Sequence, residues 1–68
     1  MNHSIIVNGQ AYFTAQVVDA YERKTYDMTI IFRETDESPQ IIDYYYGEPN
    51  VDITKEYIQR YLAKEATK

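Results

Sequence analysis

Apolar and polar positions alternate along most of this chain, with a period that changes once, near residue 50. Before that point the period is two, as in strands whose side chains point to opposite faces of a sheet. After it, Ile53, Tyr57, Ile58, Tyr61 and Leu62 recur at the spacing of one helical stripe. The pattern predicts strands at about residues 4–7, 10–18, 26–33 and 40–46 and a helix at about 53–65.

Asn8-Gly9 is the sharpest local signal. Two consecutive residues that tolerate positive φ are what a two-residue type I′ hairpin turn needs. Such a turn pairs Val7 with Gln10, Ile6 with Ala11 and Ile5 with Tyr12. Residues 19–25 are polar and read as a turn or a longer hairpin tip. Residues 34–39 read as a loop closed by Pro39, and residues 47–50 break the fourth strand. Asp52 or Thr54 can cap the helix. With Thr54 as the cap, Ile53 and Ile58 take the positions of a hydrophobic staple. Short connections favour pairing between sequence neighbours. The expected fold is therefore α+β: a four-stranded antiparallel β-meander with one C-terminal helix on one face (ββββα), in a single small domain spanning residues 1–68.

One helix covers one face, so the other face must meet solvent or a partner. Three consecutive tyrosines, Tyr44 to Tyr46, guarantee aromatic side chains on both. Ile6, Ala11, Phe13, Ala15 and Val17, with Met28, Ile30, Phe32, Tyr44 and Tyr46, are assigned to the core. The opposite set carries Ile5, Val7, Tyr12, Val18, Ile31, Ile41 and Tyr45 among Thr14, Gln16, Thr29, Arg33 and Asp43. On this register Tyr12, Ile31, Ile41 and Tyr45 form an open apolar patch, and a patch of that kind marks a contact surface. A one-residue slip would exchange the faces.

Size sharpens this expectation. A 68-residue chain buries only about 60% of the surface its unfolded form exposes. It has no cysteine, so disulfides cannot supplement the core, and one histidine is too few for a Cys/His zinc site. Association is then a natural source of stability. The same absences argue against catalysis. His3 has no second histidine to work with, Ser4 and Ser38 lie in no nucleophile motif, and Gly9 and Gly47 are too isolated for a phosphate loop. The chain is read as non-enzymatic, with no cofactor and no metal.

Charge separates the remaining readings. The net charge is −4, and residues 19–52 carry nine acids against three bases. That balance argues against duplex nucleic acid, which needs clustered Lys and Arg. The leading reading is a protein-interaction module that binds a protein partner or a second copy of itself through the open face or a sheet edge. The alternative is an acidic mimic of nucleic acid that inhibits a nucleic-acid enzyme, with Glu34, Asp36, Glu37, Asp43 and Glu48 as the phosphate-like charges. A second alternative is single-stranded nucleic acid stacked on the sheet tyrosines. No apolar run reaches the ~18 residues of a membrane span. No basic region precedes an apolar core at the N-terminus, and the chain is read as cytoplasmic.

Overall fold

The computed structural model describes residues 4–67. His3, weighed above for catalysis, lies outside these residues, as do Met1, Asn2 and Lys68. Four strands form one antiparallel sheet: β1 (Ile5–Val7), β2 (Gln10–Tyr21), β3 (Lys24–Glu34) and β4 (Pro39–Tyr46). They lie in sequence order, and one helix, α1 (Val51–Ala66), follows. The ββββα meander is the arrangement the hydropathy pattern predicts.

The first hairpin has the expected register, with Ile5 opposite Tyr12 and Val7 opposite Gln10. Asn8 and Gly9 both take positive φ, at 51° and 79°. The second hairpin is tighter than its polar sequence suggests. Its strands continue to Tyr21 and Lys24, and Glu22 and Arg23 alone make the turn, at φ 49° and 66°. This is again a two-residue turn, built without the residues that usually tolerate it. Long strands paired on both sides of the turn impose the geometry. β2 and β3 therefore project as a two-stranded ribbon past the end of β4.

β3 and β4 pair from Glu34–Pro39 to Met28–Tyr46, with one irregularity. Ile31 faces Asp43 and Phe32 faces Ile41, which leaves Ile42 as the extra residue of a β-bulge. The bulge reverses the alternation at the start of β4. Ile41 thereby joins the Phe32 face, while Ile42 packs against the core on the other.

The cap of α1 is Asn50, two residues before Asp52, the earlier of the two expected caps. The Asn50 side chain accepts the Ile53 N–H at 3.0 Å, and its carbonyl accepts the Thr54 N–H at 2.9 Å. Asn50 can act as cap because its extended backbone is held by another residue: its own N–H donates to the Tyr45 hydroxyl at 2.9 Å. Thr54 is not the cap. It lies one turn into the helix, fully buried, with its hydroxyl 2.9 Å from that of Tyr45. Ile53 is thus inside the helix and partly exposed rather than part of a staple.

The faces are exchanged relative to the sequence expectation. α1 packs on β1 and β4 over the face that carries Tyr12, Ile31 and Tyr45. The core is Val7, Tyr12, Ile31, Tyr45 and Ile58, lined by Ile5, Ile42, Tyr57 and Leu62. The physical reason lies in the polar groups. The covered face includes Thr29 and meets Thr54 of α1, and each finds a partner: Thr29 donates to the Gly47 carbonyl at 2.9 Å, and Thr54 pairs with Tyr45. Among the described residues, no buried side-chain polar atom lacks a hydrogen bond. A face with more polar residues can be the core when the connection into the helix satisfies them.

Candidate functional site

The exchange of faces relocates the candidate surface. Tyr12, Ile31 and Tyr45, expected on an open patch, are at most 6% exposed and belong to the core. Their role is to hold α1 on the sheet. Ile41 is 61% exposed, as expected of a contact residue, but the bulge places it with different neighbours.

Strand register defines the open face. β1 contributes Ile6; β2 contributes Ala11, Phe13, Ala15 and Val17; β3 contributes Tyr26, Met28, Ile30 and Phe32; β4 contributes Ile41, Tyr44 and Tyr46. Phe13 and Phe32 stack across the strands with centroids 5.7 Å apart. Tyr46 stands at its centre of a tyrosine row, edge-on to Tyr26 at 6.3 Å and to Tyr44 at 6.2 Å. Charged residues enter this face only near its ends, as Asp19 and Lys24 toward the ribbon tip and Glu34 toward the β3–β4 loop. The signal for this surface was present in the sequence as the more uniformly apolar of the two sets. Uniformity of that kind points to a core when alternation is the only guide.

The face is large for a chain of this size. Tyr21, Tyr26, Tyr44, Tyr46, Ile6 and Ile41 are each 41–65% exposed. Together with the half-buried Phe13, Val17, Met28, Ile30 and Phe32, they present apolar surface on the order of 600 Å² at ordinary side-chain areas. The largest apolar patch of a typical monomer is about 300–600 Å².

At the ribbon end the face folds into an open cleft of about 510 Å³, lined by Asp19, Ala20, Tyr21, Tyr26 and Tyr46. The Tyr46 hydroxyl donates to Asp19 Oδ2 at 3.2 Å. This hydrogen bond, with the carboxylate's negative charge beside the phenol, holds Tyr46 above its ordinary pKa.

The acidic residues do not form one track. Glu34, Asp36 and Glu37 occupy the end of β3 and the loop before β4, whereas Glu48 follows β4 at its opposite end. Asp43 lies between them on the helix side of the sheet, half-buried, and its Oδ1 accepts the Tyr44 N–H at 2.8 Å. Among the described residues, no group of three or more acidic or histidine side chains is placed to hold a metal ion. No helix among them is long and apolar enough to cross a membrane.

Comparison of the chain with protein-family models, with curated proteins and with solved structures finds no match in any of the three.

Proposed function

We propose that this chain is a non-enzymatic interaction module whose open sheet face docks on the same face of a second copy. The observation that carries this reading is the continuous apolar surface from Ile6 and Ile41 to Tyr26 and Tyr46, which α1 leaves uncovered. Its area, on the order of 600 Å², approaches the ~800 Å² per partner of a standard stable interface. A second copy suits it because the middle of the face is apolar and uncharged, and such a surface is its own complement across a two-fold axis. Two sheets would stack about 10 Å apart as a sandwich, with the helices outside. The acidic loops of both copies would then remain in solvent, where salt screens the repulsion between chains of net charge −4.

Sedimentation across a range of concentrations tests this proposal. The wild type is expected to sediment as a dimer. Ile41→Lys and Tyr44→Lys, which alter exposed positions on β4, are each expected to give a folded monomer. A wild type that stays monomeric at several hundred micromolar overturns the self-docking reading. So does a dimer that neither substitution weakens, which would point instead to pairing at a sheet edge.

A further inference from the structure

The cleft at the ribbon end has a chemistry that docking of two apolar faces does not use. Its walls are three tyrosines, and its one ionisable group besides them is a carboxylate. β4 stops at Tyr46, where the chain turns away through Gly47 with its N–H on the Asp27 carbonyl at 2.8 Å. The β2–β3 ribbon continues, so Tyr21 and Tyr26 stand beyond the last residue of β4. Tyr26 and Tyr46 meet at an interplanar angle of 77°, forming two walls of a corner, and Asp19 lies across the strands from Tyr26. Among the described residues no arginine or lysine bridges Asp19, whose carboxylate accepts from the Tyr46 hydroxyl.

We propose that this cleft binds the guanidinium group of an arginine side chain presented by a peptide or protein. A tyrosine face attracts a cation through its ring quadrupole. A guanidinium is planar, so it stacks on one ring while its edge donates to a carboxylate. The described residues contain one such arrangement. On α1 the Arg60 guanidinium sits 5.5 Å from the Tyr57 ring centroid and donates to Glu56 Oε1 at 2.6 Å. The cleft offers the same two components, with three rings in place of one. The raised pKa of Tyr46 is in keeping with this assignment, since its causes are the hydrogen bond to Asp19 and then that carboxylate's charge. The inference stands on the chemistry of the cleft and does not depend on the dimer.

The test is an NMR titration with blocked arginine amide, with blocked citrulline amide as the neutral isostere. It is run on the wild type and on Ile41→Lys, whose substitution lies at the far end of the face, so that any occlusion of the cleft by a second copy is removed. The expected result is shifts of Tyr21, Tyr26 and Tyr46 resonances with arginine and a roughly tenfold preference over citrulline. Asp19→Asn should erase that preference. Tyr26→Leu, which keeps the carboxylate and its bond to Tyr46, should weaken arginine binding severalfold. Equal affinity for arginine and citrulline overturns the proposal, as does an absence of shifts at these tyrosines in both proteins. Binding of blocked lysine as tight as that of arginine overturns the guanidinium assignment.

Discussion

The two faces of the sheet carry comparable numbers of apolar side chains, yet one is a core and the other a surface. Under α1, Tyr12, Ile31 and Tyr45 are interleaved with Thr14 and Thr29. On the open side Phe13, Val17, Met28, Ile30 and Phe32 run without a polar residue between them on that face. Hydrophobicity alone would choose the second set as the core. The difference teaches that what selects the buried face here is hydrogen-bond closure. Tyr45 ties β4 to the start of the helix and Thr29 ties β3 to the exit of β4, whereas the Tyr46 hydroxyl bonds to Asp19 on β2 and not to α1.

The strongest way to break this comparison is to truncate neighbours on opposite faces. Tyr12→Ala removes a buried side chain and should cost about 3–5 kcal/mol. A chain of this length has a total stability of only about 3–10 kcal/mol. The expected outcome is loss of the cooperative thermal transition in circular dichroism. Phe13→Ala, measured in the monomeric Ile41→Lys background, should lower stability by about 1–2 kcal/mol at most, because Phe13 is only half-buried and its main partner is Phe32. Equal losses at the two positions would mean that the faces are not distinct in energy.

Tyr45→Phe sharpens the comparison to a single atom. It keeps the ring against Tyr57, 5.2 Å away, and removes the hydroxyl that serves Asn50 and Thr54. Leaving those groups unpaired should cost about 1–3 kcal/mol, or a drop in Tm of roughly 4–8 °C per kcal/mol in a domain this small. Tyr44→Phe on the open face should leave Tm unchanged. A smaller effect in the opposite direction is expected at the ribbon tip. Replacing Glu22-Arg23 by Asn-Gly supplies residues suited to positive φ and should raise stability by about 1 kcal/mol, measured by urea unfolding.

The smallest effect concerns pH. The Tyr46 phenol is held above its ordinary pKa by the hydrogen bond to Asp19 and by that carboxylate's charge. A raised pKa means that the protonated phenol is favoured in the folded chain. The associated stabilisation is therefore complete below the ordinary tyrosine pKa and is lost as pH rises through the higher folded value. Ultraviolet or NMR titration should show Tyr46 ionising above the ordinary tyrosine value, and Asp19→Asn should bring it back toward that value.

Much of the fold was legible in the sequence because its signals are local. Asn8-Gly9 fixed the first register to the residue, and the change of period near residue 50 located the helix. The second turn was not legible, since Glu22-Arg23 carries no preference for positive φ and is forced there by the strands around it. The bulge at Ile42 was equally hidden. Nothing in Gln40-Ile41-Ile42-Asp43 marks which isoleucine is extra, and only pairing with Phe32 decides it. The candidate surface was legible in kind but not in place. An open aromatic face follows from four strands and one helix, whereas its identity depends on the Tyr45 hydroxyl reaching Asn50 and Thr54. That contact belongs to the assembled structure and has no signature in alternation.

The nearest-neighbour strand order has a consequence for how quickly the chain reaches this structure. Each strand pairs with the one before it, through turns of two residues at two of the three connections. Loop closures this short cost little entropy and occur on the microsecond scale. The exception is α1, which rests on β1 as well as on β4 and so joins the two ends of the sequence. Its docking spans the longest separation in the molecule and should set the folding rate. The β2–β3 ribbon is then already formed in the transition state, so destabilising changes there and in the part of α1 that faces β1 would both slow folding.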